Sequence, residues 1–239
     1  MSKALEIKHG EEIAGNAENI WGWGTPAGRL RAERRFNYLI KYGGIKKGSV
    51  VLELGCGTGV FSEKLAAQGT RLIAIDISMA LILKASNKLR GKNVQFIVAD
   101  IENLPFKPGV FDAVVGISVL HHLSLSIACQ QAKVVLKKGG RISFSEPNMV
   151  NPQIFLQKNI PYLKRLLGDS PDETAYTRWQ VNSVLVENGF RNNKIFLFDF
   201  MHPLIKPLLI PLIDRAGRNM EKIPVLREIA GSIFFAGEK

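Results

Sequence analysis

An apolar run, Val50-Val51-Leu52-Glu53-Leu54, leads directly into Gly55-Cys56-Gly57-Thr58-Gly59, and a helical pattern follows. A buried strand, alternate glycines and then a helix make a sharp turn where a ligand can approach the backbone without meeting Cβ atoms, at a helix N-terminus. A nucleotide-like cofactor belongs at such a turn. The spacing departs from the dinucleotide fingerprint Gly-x-Gly-x-x-Gly, whose last glycine admits close helix packing. Read from Gly55, Val60 stands at that position; read from Gly57, Ser62 does. This disfavours an NAD-dependent oxidoreductase.

Around this turn, continuous apolar runs alternate with helical stretches, the pattern of βαβ units in a parallel sheet covered on both faces. Strands are expected at Val50–Leu54, Arg71–Ile75, Val94–Val98, Phe111–Ile117 and Arg141–Ser145. Ser78 is placed to cap a helix that ends at Gly91, and another helix runs through Ala128, Ala132 and Leu136. Thr177-Arg178-Trp179-Gln180 has the form of a capping box, predicting a helix to Asn188 and then strands at Ile195–Phe200 and Ile229–Ala236. Eight of the eleven prolines fall in Glu146–Tyr176 and Met201–Glu228, marking two irregular insertions. The expectation is an α/β fold with a Rossmann-like, doubly wound, seven-stranded and mostly parallel sheet. It forms one domain over 1–239: an N-terminal lid (1–48), a cofactor-binding core (49–145) and accessory insertions (146–176 and 201–228).

Partners are narrowed by charge and cysteine content. The net charge of +11 is spread as excesses of +4, +4 and +3 over residues 1–48, 49–150 and 151–239, whereas nucleic-acid sites concentrate their cations. Nucleic acid is therefore not the expected partner. Two cysteines, Cys56 and Cys129, and a start without an apolar run give no sign of a disulfide framework or secretory signal, which fits a cytoplasmic protein. Phe200–Ile213 is apolar but broken by Pro203, Pro207 and Pro211, short of the ~20 residues of a membrane-spanning helix.

Glu53, Gly55, Gly57 and Gly59 together resemble motif I of the class I S-adenosylmethionine-dependent methyltransferases, Glu/Asp-x-Gly-x-Gly-x-Gly. The resemblance continues to about Pro147, through Asp76 after the second strand, Asp100-Ile101 after the third, Phe111-Asp112 opening the fourth and Gly139-Gly140 before the fifth. It implies S-adenosylmethionine as cofactor and S-adenosylhomocysteine as product. By the same resemblance the glycine turn and Glu53 serve the methionine part, Asp76 the ribose hydroxyls, Ile77 and Met79 the adenine face, and Asp100 and Ile101 the adenine edge. Helix capping is the alternative for Asp76. Ser118 opens the loop Ser118-Val119-Leu120-His121-His122-Leu123, whose form resembles small-molecule enzymes of the ubiquinone and menaquinone methyltransferase type.

His121 and His122 are candidate general bases, since imidazole exchanges protons near neutral pH; capping and packing remain open for both. No metal is expected, because adjacent histidines cannot share one strand face. Trp21 and Trp23, candidate acceptor contacts, lie in a glycine-punctuated segment able to fold over the cofactor; capping the apolar edge of the sheet is the alternative. The segment leads into a helix expected to have a strongly basic surface at Arg29–Arg35. Glu146 and Asn148, with Phe155 and Leu209 from the insertions, are candidate acceptor contacts for a bulky, apolar, lipid- or quinone-like small molecule. The same apolar insertions could instead form a homodimer interface or a peripheral membrane contact. A noncatalytic cofactor-binding module is the competing reading.

Overall fold

The computed structural model of the chain describes residues 3–170 and 173–239; Met1, Ser2, Pro171 and Asp172, which the lid and first insertion include, lie outside them. The strands are β1 (Val50–Leu54), β2 (Arg71–Asp76), β3 (Val94–Val98), β4 (Phe111–Ile117), β5 (Leu136–Pro147), β6 (Arg191–Phe198) and β7 (Ser232–Glu238). They form one seven-stranded sheet in the order β3-β2-β1-β4-β5-β7-β6. Strands β1 to β5 pair in parallel, and β7 runs antiparallel to both β5 and β6. This is the expected Rossmann-like, mostly parallel sheet.

Helices cover both faces: α1 (Lys3–Ile13), α2 (Ala17–Ile20), α3 (Pro26–Gly43), α4 (Val60–Ala67), α5 (Met79–Lys88), α6 (Leu125–Val135), α7 (Pro152–Asn159), α8 (Pro161–Leu166), α9 (Arg178–Glu187), α10 (Ile210–Met220) and α11 (Pro224–Arg227). Successive strand residues point to opposite faces. Val51 therefore packs with Phe36 and Leu39 of α3 and Leu65 of α4, whereas Leu52 and Leu54 pack with Ala128 and Ala132 of α6. The strand order reverses between β1 and β4, which opens a crevice at the carboxyl ends of these strands.

The expected boundaries shift where side chains intervene. β5 begins at Leu136 rather than Arg141, with Lys137 held to Asp112 at 2.6 Å. β6 starts at Arg191 rather than Ile195, and β7 at Ser232 rather than Ile229. Both predicted caps form: Ser78 Oγ accepts from Leu81 N at 3.4 Å, and Thr177 and Gln180 make a reciprocal capping box. The insertions, expected to be irregular, carry helices. Pro152, Pro161 and Pro224 occupy first helical positions, where the missing N–H costs nothing and the fixed φ suits a helix start.

The arginine-rich face of α3, expected as a strongly basic surface, is turned partly inward. Arg35 is buried, with Nη2 at 2.6 Å from both Asp199 Oδ2 and Ser232 Oγ, and Arg31 Nε lies 2.8 Å from the same carboxylate oxygen. Burial lowers the Arg35 pKa to about 10 despite Asp199; the Asp199 carboxyl, although burial opposes its charge, is held far below its ordinary value by Arg35 and Arg31. Asp199→Ala would leave a buried guanidinium without its counter-ion. The expected cost is roughly 3–5 kcal/mol in urea unfolding, and a loss below about 1 kcal/mol would show that water reaches Arg35.

Candidate functional site

A cleft of about 390 Å³ lies at the reversal point, within the range of small-molecule sites. The turn after β1 forms its floor, with Gly55, Gly57 and Gly59 at φ 65°, 53° and 80°, conformations that favour glycine. Each glycine also meets a different neighbour. A Cβ on Gly55 would stand 2.1 Å from Val119, and one on Gly57 2.9 Å from the Trp21 ring. Gly59 faces away from the cleft, and its added Cβ would stand 3.2 Å from Ala85, so its smallness packs α4 against α5 rather than serving a ligand. Glu53 also lies behind the cleft wall. It accepts from Ser62 Oγ at 2.5 Å, and burial pushes its carboxyl up to about 8, leaving it mostly protonated at neutral pH.

Asp76 ends β2 against this turn, its carboxylate accepting from Gly57 N and Ser78 N, each at 2.9 Å. Burial raises its pKa. A carboxylate offers about four lone-pair positions, so capacity remains for two hydroxyl donors. Ile77, Asp100, Ile101 and Ser118 also line the cleft. Ser118 has φ 52°, a strained conformation for a residue with a Cβ, held by its N–H donating to Ser145 O at 2.8 Å. Met79 does not reach the cleft; it is 53% exposed at the start of α5.

Trp21 and Trp23 both line the cleft, and Trp23 packs edge-on to Phe61 at 5.4 Å. α1, which belongs to the segment expected as an N-terminal lid, adds Lys3, Glu6, His9, Gly10 and Ile13 to this wall. Gly10 sits so close that an added Cβ would stand 2.7 Å from Ser78. Lys3 Nζ lies 2.6 Å from Asp100 Oδ2, and Glu6 Oε2 lies 3.1 Å from His122 Nδ1. The α1 sequence, KALEIKHGEEI, buries only Gly10, so no apolar stripe announced the docking. Its ion pairs reach residues far away in sequence, and Gly10 packs closely on α5.

The two histidines have different surroundings. His121 is buried, its Nδ1 2.6 Å from Glu146 Oε2 and its Nε2 3.1 Å from Glu173 Oε1. Burial disfavours its charged form, but the two carboxylates outweigh this and raise its pKa to about 9. Both nitrogens are donors, no lone pair is free, and a general-base role for His121 does not fit. Burial opposes the charge on Glu173 too, but His121 holds that carboxyl far below its usual range. Lys158 of α7 bonds Glu173 and also lies 2.8 Å from Asp169. His122 is only partly buried and lines the cleft.

A single 3-10 turn, Leu120–His122, brings the histidine rings to 4.2 Å, which strand geometry would forbid. Ligand atoms of His121, His122 and Glu173 thus lie within 4.8 Å of one another. In this arrangement protonated His121 and the Lys158 ammonium both place positive charge at Glu173.

The expected acceptor contacts are redistributed. Glu146 is buried and fully engaged, its Oε1 accepting from Val119 N and Leu120 N, both at 3.0 Å. Asn148 donates to Glu228 O and Ala230 O at 2.9 and 2.7 Å, fastening β5 to the chain before β7. Phe155 and Leu209 are 51% and 44% exposed and lie outside the cleft. From the first insertion, Gln157, Lys158 and Leu167 line it instead.

Protonated His121 makes stability pH-dependent. Its contribution is complete below the ordinary value of 6.5 and is lost as pH rises through about 9. Urea midpoints should therefore fall across this interval, and the fall should vanish in His121→Gln. An unchanged slope in the variant would place the proton elsewhere.

Comparison with known proteins agrees with this arrangement. Residues 52–144 match a family model described as a methyltransferase domain. An uncharacterized methyltransferase of Geobacillus sp. (strain WCH70) is 34% identical over 153 residues, covering 61% of this chain and 71% of the relative. A demethylmenaquinone methyltransferase of Thermobifida fusca is 30% identical over 142 residues, 54% of this chain and 59% of that protein. Among solved structures, an S-adenosylmethionine-dependent methyltransferase of Thermotoga maritima, described as a possible histamine N-methyltransferase, superposes with a TM-score of 0.68. It is 15% identical, and 95% of this chain and 97% of that one are covered, a likeness of fold. With the glycine turn, Asp76 and the cleft at the reversal point, these matches establish that the chain belongs to the class I S-adenosylmethionine-dependent methyltransferases.

Proposed function

We propose that the chain methylates a small acceptor with a sizeable apolar body, of quinone or lipid type. The observation that carries this reading is the cleft wall of Ile20, Trp21, Trp23, Leu123 and Leu167 beside the glycine turn. The Thermobifida relative, named for demethylmenaquinone, supports the same acceptor class. When bound, the cofactor supplies a methyl group activated on a sulfonium.

The chain's own residues bind, orient and exclude water. Asp76 accepts from the ribose hydroxyls, Asp100 and Ile101 meet the adenine end, and α1 keeps bulk solvent from the cleft. His122 takes the acceptor's proton where the nucleophile carries one. Glu6 faces its Nδ1, so the neutral ring keeps Nε2 as the basic nitrogen when Nδ1 carries the hydrogen. His121 acts indirectly, by fixing the loop on which His122 stands.

Supplying purified protein with methyl-labelled cofactor and panels of quinols and polar amines tests the acceptor class; label in the amines alone would refute it. Asp76→Ala should weaken S-adenosylhomocysteine binding by roughly 1.5–3 kcal/mol in calorimetry, and equal affinity would remove the ribose assignment. His122→Ala should lower turnover about 100-fold at saturating cofactor without weakening cofactor binding. An unchanged rate would return His122 to a packing role.

A further inference from the structure

The segment between β6 and β7 leaves large apolar side chains in solvent. Leu204, Leu208, Leu212 and Val225 are 78%, 89%, 68% and 79% exposed. A 3-10 turn at Pro207–Leu209 continues into α10, so Leu208 and Leu212 stand one helical turn apart on the outer side. The inner side is fixed to the protein: a Cβ added to Gly217 would stand 3.2 Å from Phe200, and Glu221 is ion-paired with Arg34. The leucines are therefore held outward by a well-anchored helix.

We propose that this segment docks on an anionic phospholipid surface. Its acids are already engaged, Asp214 with Arg218 at 2.8 Å, Glu221 with Arg34 and Glu228 with Arg178 at 3.2 Å. Lys206 and Arg215 have no side-chain partner among the described residues, and both are exposed. Leucines projecting beside free cations match an interfacial helix on anionic lipid, whose apolar face enters the acyl boundary while its cations meet the headgroups. A second copy on this surface would add further free cations while Asp214, Glu221 and Glu228 are already engaged, which like-charge repulsion opposes. Among the described residues no helix is long and apolar enough to cross a membrane, consistent with lying on the surface.

The surface also adjoins the cleft. Pro203 packs on Gly22, where an added Cβ would stand 2.5 Å away, and its carbonyl accepts from Thr25 Oγ1 at 2.7 Å. Gly22 and Thr25 belong to the turn that carries Trp21 and Trp23 into the cleft wall. Docking thus brings the rim of the cleft toward the lipid, independently of which acceptor is methylated.

Co-sedimentation with vesicles of phosphatidylcholine, alone or mixed with phosphatidylglycerol, tests the proposal. The protein should partition onto the anionic vesicles, and less as salt rises. Leu208→Asp with Leu212→Asp should lower that partition roughly tenfold or more, and Lys206→Glu with Arg215→Glu should lower it too. Both variants should retain the wild-type melting temperature and S-adenosylhomocysteine affinity, which separates loss of docking from loss of fold or of cofactor binding. The proposal is overturned if wild-type protein ignores anionic vesicles, or if folded variants bind them as the wild type does. It is also overturned if the leucine pair instead abolishes a dimer measured by analytical ultracentrifugation.

Discussion

Glu146, buried at the end of β5, accepts from Val119 N, Leu120 N and His121 Nδ1. A charged oxygen removed from water must find such donors, and here all of them come from the loop after β4. That loop then has one available course. Through His121 the constraint passes to Glu173 and from there to Lys158 and Asp169, so the first insertion is bound to the catalytic edge by linked charges. His122 faces the cleft because its neighbour is held. A position of this kind couples the loop after β4 to a charged network whose members His121, Lys158, Asp169 and Glu173 also line the cleft.

The central sheet was legible because strands covered on both faces are mostly apolar, so β1 and β4 declared their limits in composition; β3, at the sheet edge, kept an apolar run although none of its residues is buried. Asp76 was legible from its place after β2. Residues read for chemistry but used for packing were harder to separate: Gly59 has the motif spacing yet abuts Ala85, and Glu53 has the motif identity yet stands behind the wall. Phe155 and Leu209 misled by their apolar character, which faces outward. The prolines of the insertions misled in the opposite direction, because the residue that breaks a helix interior also begins one.

The contacts that escaped the sequence link distant segments through charge. Lys3 with Asp100, Glu6 with His122 and Lys158 with Glu173 each join residues whose pairing no local periodicity encodes. Glu18 similarly reaches Thr58 Oγ1 at 2.9 Å and Lys88 Nζ at 3.0 Å, tying α2 to the glycine turn and to the end of α5. Hydrophobic pattern specifies which face of an element is buried. It does not say which charged partner waits there.

The ionic docking of α1 has a kinetic consequence. Exposed pairs such as Lys3 with Asp100 are each worth about 0–1 kcal/mol and are screened by salt, so a roof resting on them opens at far lower free energy than the sheet beneath it. Ionic strength therefore acts first on the opening of this roof, by weakening the exposed pairs at its rim.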